Sequence, residues 1–500
     1  LSLRLQTPVV LRIAGHPREA LEPLLTYRDK SVDFELQRLR NSVYLRDKLG
    51  PQGYAERVEE LKAQRKPCLL FEDAEGLWTY SGFAAMLEQK LGEPKALREF
   101  PLPAPRPLAL HGPLAARDPR PYQLEGNQAL LGAVHGAVEE GTGLGKSFQA
   151  LLLVAHHGLK TVVMAPSKNI AEQLHEDFVS AFGKGKVGLF GDGKHEYGKL
   201  ITVAIAASLT RLEPGSPAWE VLSTAQVFIA DESHLTPAKT LQKVCFGLLA
   251  GAPYRYFFSG TQLRGDGADL LLQGITGKVV FGMSVRQGVD QGWLARPFFR
   301  MVQVGSDKKY YNRDAERMTR VHLYYNQDVI RAAAALANKS VSFLGHQVLI
   351  LVQELEQFQV LLPWLKHSVR FAHGPVAKAD LKYVPEAYQK CDVKALVKAF
   401  NAREFPILVG TSCISTGTDI QSAEHVIWLR GGKSEVELRQ GVGRGTRKVD
   451  AKRFFNFSDF CVRVAALQEP TCVEKHAFAR AEILQGIYPN SFKEVPRGSC

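Results

Sequence analysis

The chain has 500 residues, enough for about three domains, so its cores can close without disulfide or metal staples. With 45% apolar and 23% charged residues it reads as a globular protein, and no apolar run approaches the ~20 residues of a membrane span. Lys and Arg number 63 against 51 Asp and Glu, and the resulting net charge of +12 favours a polyanionic partner.

In chain order, the opening LSLRLQTPVVLRIAGHPREA lacks a signal-peptide pattern, and the absence of an initiator Met reads as trimming. Residues 1–105 are expected to form a small accessory domain. They combine a helical stretch, YAERVEELKAQ, with a short apolar run, KPCLLFED, and carry no catalytic motif. The proline-rich stretch 101–121 reads as a linker or domain edge. Short apolar strands then alternate with helices: HGAVEE, TVVMAP, ITVAIA, AQVFIAD and YRYFFSG within 106–300, and QVLILV, SVRFAH, FPILVG, EHVIWL and RFFNFS within 345–490. That alternation implies two α/β lobes built on parallel sheets. Residues 301–344 read as a connecting segment with one helix, and 491–500 as a tail whose VPRGS resembles a thrombin-site remnant. The seven cysteines are odd in number and form no C-x-x-C pair, which fits a reducing compartment.

Within the first lobe, GTGLGKS (Gly141, Thr142, Gly143, Leu144, Gly145, Lys146, Ser147) follows a strand and opens a helix. Glycines there let backbone N–H groups converge on phosphates. Lys146 adds a full positive charge, and the Ser147 hydroxyl can ligate Mg²⁺. The usual P-loop pattern has glycine where this chain has Glu140, and Glu140 is expected to point away from the loop. In VFIADESH the strand should end at Asp231 and Glu232. Asp231 is suited to hold Mg²⁺, and Glu232 to orient and deprotonate an attacking water.

With these motifs in place, residues 120–490 resemble the superfamily 2 helicases and translocases. RPYQ is similar to the adenine motif of that family (Tyr122, Gln123), and APSKNIAEQ to motif Ia (Pro166, Ser167, Gln173). VAIAASL resembles the following strand and loop (Ser208), and DESH resembles motif II. SGT resembles the coupling motif III (Ser259, Gly260, Thr261), and GTSCISTGTDI motif V (Thr411, Gly417, Asp419). QGVGRGTR fits motif VI through Gln440, Gly443, Arg444 and Arg447.

The resemblance implies two tandem RecA-like parallel-sheet lobes with a small N-terminal accessory domain. It implies ATP and Mg²⁺ as cofactors, with Tyr122, Gln123, Gly141–Ser147, Gly417 and Asp419 holding the nucleotide. Catalysis is implied for Lys146, Asp231, Glu232, Gln440, Arg444 and Arg447, the arginines meeting the γ-phosphate when the lobes close. Nucleic-acid contacts are implied for Pro166, Ser167, Gln173, Ser208 and Thr411. SVRQGVDQGWLARP and GLFGDGKHEYGKLITVAIAASL are similar to segments of RecG-like, XPB-like and UvsW-type DNA enzymes. The expected partner is therefore single-stranded, forked or branched DNA, in roles such as repair, recombination or replication, without a membrane. A monomer in a bacterial or phage-infected cytoplasm fits. Three readings stay open beside it: an RNA helicase, a duplex translocase subunit that does not unwind, and a non-catalytic nucleic-acid binder with a degraded ATPase. The N-terminal 100 residues are the candidate for junction recognition, and DKKYYNRDAER (307–317) is a second candidate, because tyrosines beside basic residues can stack on bases.

Overall fold

The apolar runs singled out above become the inner strands of two parallel sheets. The computed structural model describes residues 2–260, 269–414, 420–447, 452–489 and 491–492. The chain splits into two units, Leu1–Gly141 with Gly145–Met283, and Thr142–Leu144 with Ser284–Cys500.

In the first unit, strands β1 (Leu3–Leu5), β2 (Val10–Ile13), β3 (Phe71–Asp73), β4 (Gly76–Tyr80) and β5 (Leu97–Arg98) form a small N-terminal sheet, ordered β3-β4-β2-β1-β5. Its pairs are antiparallel except β1 with β5. This sheet does not stand apart. Leu3, Leu11, Phe83 and Leu87 belong to the same buried cluster as Phe228, Leu241, Phe257 and Leu272. Tyr80 stacks on Phe246 at 4.1 Å, and its hydroxyl accepts from Gln242 Nε2 at 2.8 Å.

The main sheet of this unit holds β6 (His135–Glu140), β7 (Thr161–Ala165), β8 (Val187–Gly191), β9 (Lys194–His195), β10 (Ile201–Ile205), β11 (Val227–Ala230), β12 (Tyr254–Ser259) and β13 (Val279–Met283). Their order is β13-β6-β12-β11-β7-β10-β8-β9, parallel apart from the β8–β9 pair. β7 and β11 are buried at every position, which is why their sequences read as unbroken β-branched and apolar runs rather than as alternation.

The proline-rich stretch read as a linker is a packed strap. Arg106 N–H donates to the His157 carbonyl at 2.7 Å, Leu108 N–H to Ala155 at 2.8 Å, and His111 N–H to Ala181 at 2.8 Å. Proline disfavours helix and sheet interiors but suits an extended segment whose remaining N–H groups find partners on neighbouring helix ends. Gly158, left-handed at φ +56°, lets the strap approach: a Cβ there would stand 1.6 Å from the Arg106 carbonyl oxygen.

The second unit carries β14 (Arg296–Ser306), β15 (Val348–Val352), β16 (Val369–Ala372), β17 (Ile407–Gly410), β18 (His425–Leu429) and β19 (Phe454–Val464). All pair in parallel, in the order β14-β19-β18-β15-β17-β16. Here the expected boundary at 300/301 is corrected. β14 runs through it and pairs with β19 from Arg296↔Phe454 to Ser306↔Val464. The segment 301–344 is part of this lobe: Val329, Ile330, Ala333 and Ala337, from the helix Gln327–Leu344, share a core with Val348 and Ile350. β14 is an edge strand with a mixed burial pattern and a proline at its second residue, so its sequence lacks the apolar run that marks an inner strand.

Candidate nucleotide-binding site

The residues with chemistry collect at the carboxyl ends of strands, where open parallel sheets leave a crevice for ligands. Gly141–Ser147 follow β6, Pro166 and Ser167 follow β7, Ser208 follows β10, Asp231 and Glu232 follow β11, and Ser259 ends β12. β6 and β11 are not adjacent. β12 lies between them, so the carboxylates after β11 stand two strands from the phosphate loop, with Ser259 at the end of the intervening strand.

Gly143 and Gly145 take left-handed backbone angles, φ 91° and 92°, and the helix Lys146–His157 starts directly behind them. A side chain at Gly145 would be strained twice over, since its Cβ would also lie 2.7 Å from Gln123 Nε2. Lys146 is buried. Its Nζ donates to the Glu140 carbonyl at 3.1 Å and stands 3.2 Å from Glu232 Oε1. Ser147 lies half-buried in the first helical turn.

Glu140 turns its side chain inward, away from the loop. Gln149 Nε2 donates to Glu140 Oε1 at 2.6 Å, while Oε2 has no hydrogen-bond partner. Burial pushes the Glu140 carboxyl up to about 7, against the opposing Gln149 bond and Lys146 charge. A residue that departs from the usual motif thus lends its backbone to Lys146 and its side chain to the helix behind.

Asp231 is 4% exposed, and its Oδ1 has no partner. Burial, then the charge of Glu232, raise its carboxyl well above the ordinary carboxylate range. An orphaned buried carboxylate oxygen is a ligand of the kind that divalent cations take, and the Ser147 hydroxyl, in the first turn of the helix behind the loop, is another. Glu232 sits at φ 44°, ψ 47°, a left-handed conformation that costs a non-glycine residue on the order of 1 kcal/mol. In that conformation its carboxylate stands beside Lys146. His234, which the sequence reading passed over, has Nδ1 3.4 Å from Glu232 Oε2 and 3.1 Å from Ser259 Oγ. One imidazole therefore joins the expected water-activating carboxylate to the expected coupling residue.

Gln123 is fully buried. Its Oε1 accepts the Arg120 N–H at 3.0 Å, and its Nε2 donates to the Gly145 carbonyl at 3.4 Å. The Tyr122 hydroxyl accepts from Arg120 at 2.9 Å. Of the expected adenine-motif pair, Gln123 thus braces the phosphate loop. Arg117 is a second residue the sequence did not flag. Its guanidinium lies 4.5 Å over the Phe148 ring, and a Cβ at Gly145 would be 3.6 Å from its Nη2.

Of the expected nucleic-acid contacts, Ser167 occupies the N-cap position of the helix Lys168–Phe182 without a capping bond. Gln173 lies half-buried on that helix, and Ser208 half-buried in Ala206–Leu209. In the second unit Thr411 follows β17. Its N–H donates to Ala372 at 3.1 Å and its Oγ1 to Cys413 Sγ at 3.5 Å. Gln440, Gly443 and Arg444 lie on the helix Glu435–Thr446, with Arg447 at its end, and Arg444 is 4% exposed. Tyr311, in the stacking candidate 307–317, is 67% exposed, while Tyr310 packs near His322. Thr261, Gly417, Asp419 and the VPRGS tail lie outside the described residues.

Two family profiles match, "Type III restriction enzyme, res subunit" over residues 117–262 and "Helicase conserved C-terminal domain" over 335–449. The chain belongs to the superfamily 2 helicase and translocase enzymes. It is similar to a candidate helicase of Sulfolobus islandicus filamentous virus, 22% identical over 361 residues, 67% of this chain and 62% of that one. It is also similar to the DNA 3'-5' translocase XPB2 of Sulfurisphaera tokodaii, 21% identical over 66% of this chain and 79% of that one. The ATP-dependent DNA helicase uvsW of Enterobacteria phage T4 is 20% identical over 62% of each chain. The chain thus spans 62% of the length of both viral relatives. In fold it resembles S. cerevisiae Dbp5 bound to RNA and ADP BeF3, with a TM-score of 0.51, 15% identity and coverage of 76% of this chain and 90% of that one. No helix among the described residues is long and apolar enough to cross a membrane.

Proposed function

We propose that the chain hydrolyses ATP to move along DNA and to unwind or remodel forked or branched duplexes. The observation that carries this reading is the group at the carboxyl edge of β6 and β11. There a buried Lys146 stands 3.2 Å from Glu232, next to an Asp231 oxygen with no protein partner. Bound ATP with Mg²⁺ would supply the phosphoanhydride bond and a divalent positive charge against the phosphates. The loop N–H groups from Gly143 to Ser147 bind the phosphates, and Lys146 turns from Glu232 toward them. Ser147 and Asp231 are suited to hold the cation. Glu232, released from Lys146, orients a water and accepts its proton. His234 passes the displacement of Glu232 to Ser259 on β12, a route from the chemistry into the middle of the sheet. Arg444 and Arg447 are assigned to the charge that develops on the γ-phosphate.

DNA is favoured over RNA by the names of two relatives, a DNA translocase and a DNA helicase, and a net charge of +12 suits either polymer. The XPB2 name also favours a second reading, movement on duplex without strand separation. A strand-displacement assay on forks and four-way junctions separates the two. ATP-dependent release of a labelled strand supports unwinding. ATP hydrolysis stimulated by duplex without release supports translocation alone. Stimulation by RNA and not by DNA would replace both with an RNA motor.

A further inference from the structure

Residues 29–65 leave the N-terminal sheet and return to the place they left. Thr26 and Cys68 form an antiparallel bridge, Tyr27 N–H donates to the Pro67 carbonyl at 3.2 Å, and Asp29 N–H to Arg65 at 3.0 Å. Between these ends lie the helices Lys30–Asn41 and Val43–Ala63, the second bent at Gly50 (φ 68°) ahead of Pro51. The excursion has its own small core of Val32, Leu36, Leu39 and Leu61, with Leu45, Tyr54 and Val58 against it. None of these residues enters the larger core beneath the N-terminal sheet.

Its charges sort by position. Toward the base, Arg28 and Arg65 each reach Asp33 at 2.6 Å, Arg57 pairs with Glu60 at 3.0 Å and Lys62 with Glu59 at 2.6 Å. At the corner between the helices, Arg38, Arg40, Arg46 and Lys48 are exposed, and none has an ion-pair partner among the described residues. Asp47 is the sole acidic residue from 38 to 48. Two large rings accompany the cations. Phe34 is 69% exposed and Tyr44 70%. Each precedes a cation, Arg38 or Lys48, by four positions, which sets ring and charge on one helix face.

We propose that this corner is a second DNA contact, apart from the motif residues at the sheet edges. Arg38, Arg40, Arg46 and Lys48 neutralise phosphates, while Phe34 and Tyr44 stack on bases that are open at a fork or junction. The proposal rests on the DNA reading above. It explains why cations that could pair with carboxylates, as those at the base do, are left unpaired, and why two rings that contribute to no core are presented to solvent.

The test uses the full chain and a labelled forked DNA, with binding read by fluorescence anisotropy across a salt series. In one variant Arg38, Arg40, Arg46 and Lys48 are all changed to Ser; in a second, Phe34→Ser is combined with Tyr44→Ser. All six positions are exposed, and ATP hydrolysis without DNA reports whether each variant is folded. We expect the first variant to bind at least about tenfold more weakly, with a salt slope shallower by roughly 2 to 4, near one unit per lost phosphate contact. The second should lose about tenfold in affinity at an unchanged slope. In both, the DNA concentration for half-maximal ATPase stimulation rises while the maximal rate is kept. Wild-type affinity and slope in both variants would overturn the proposal, as would a loss confined to RNA. If wild-type protein neither binds the fork nor is stimulated by it, the DNA reading itself fails, a result distinct from either.

Discussion

Glu140 shows what a single residue can conceal. The sequence marks it as a departure from the phosphate-loop pattern; the structure gives its carbonyl to Lys146 and its carboxylate to Gln149. Burial lifts its carboxyl from an ordinary 4.5 to about 7. The folded state therefore binds this proton more tightly than the unfolded state does. The stability so gained is complete below about 4.5 and is lost as pH rises through about 7, on the order of 3 kcal/mol in all. Glu140→Gln keeps an acceptor for Gln149 and removes the titration. Its melting temperature should exceed that of wild type at pH 8, and the gap should shrink toward pH 5. Parallel melting curves across that range would refute the assignment. The variant should keep ATP hydrolysis within a few-fold, because the bond to Lys146 is made by the backbone. Glu232→Gln, by contrast, should bind ATP and lose turnover by at least a hundredfold, read as kcat against nucleotide affinity. Arg444→Ala should lower kcat by a comparable factor if it steadies the transition state. The grouping of Lys146 with Glu232, 3.2 Å apart, was legible in the sequence because the spacing of their two motifs is the one that phosphate chemistry asks for. Gln149, His234 and Arg117 were not, because Glu140, Ser259 and Phe148 lie 9, 25 and 31 positions from them and meet them only through the sheet and loop geometry.

At the scale of elements, the helix Glu435–Thr446 is the sharpest case. Its glycines read as part of a motif, yet two of them are packing residues. A Cβ at Gly441 would lie 2.3 Å from the Trp428 ring, and one at Gly445 2.0 Å from the Phe455 ring. In an exposed helix Gly→Ala gains about 1 kcal/mol. Here Gly441→Ala or Gly445→Ala should instead cost roughly 1–3 kcal/mol through overpacking, seen as a lower unfolding midpoint in denaturant. A gain would show that the helix stands off β18 and β19. Inner strands such as β7, β11, β15 and β18 were legible as apolar runs because both faces are buried. β14 was not, being an edge strand of mixed burial, and neither was the N-terminal sheet, whose strands run from two to five residues. The proline strap misled because composition predicts a missing helix, not a missing contact.

Across the whole molecule, the N-terminal sheet and the first lobe share one core, so they should unfold together. Tyr80→Ala removes the ring stacked on Phe246 and should cost about 3 kcal/mol or more. Hydrogen exchange should then show the lost protection spreading into β11 and β12; loss confined to residues 1–100 would mean a separable domain. The two-lobed α/β plan was legible because strand and helix periods alternate twice along the chain, whereas the merging of the accessory sheet into the first lobe depends on scattered apolar residues with no period. Every proposed activity of the chain depends on one pocket turning over nucleotide in response to DNA. The most direct measurement is the ATP hydrolysis rate of wild type and Lys146→Ala, each with and without forked DNA. We predict a wild-type rate that rises several-fold with DNA and a Lys146→Ala rate at background in both conditions. Equal rates for the two proteins, or hydrolysis by Lys146→Ala that still responds to DNA, would contradict it.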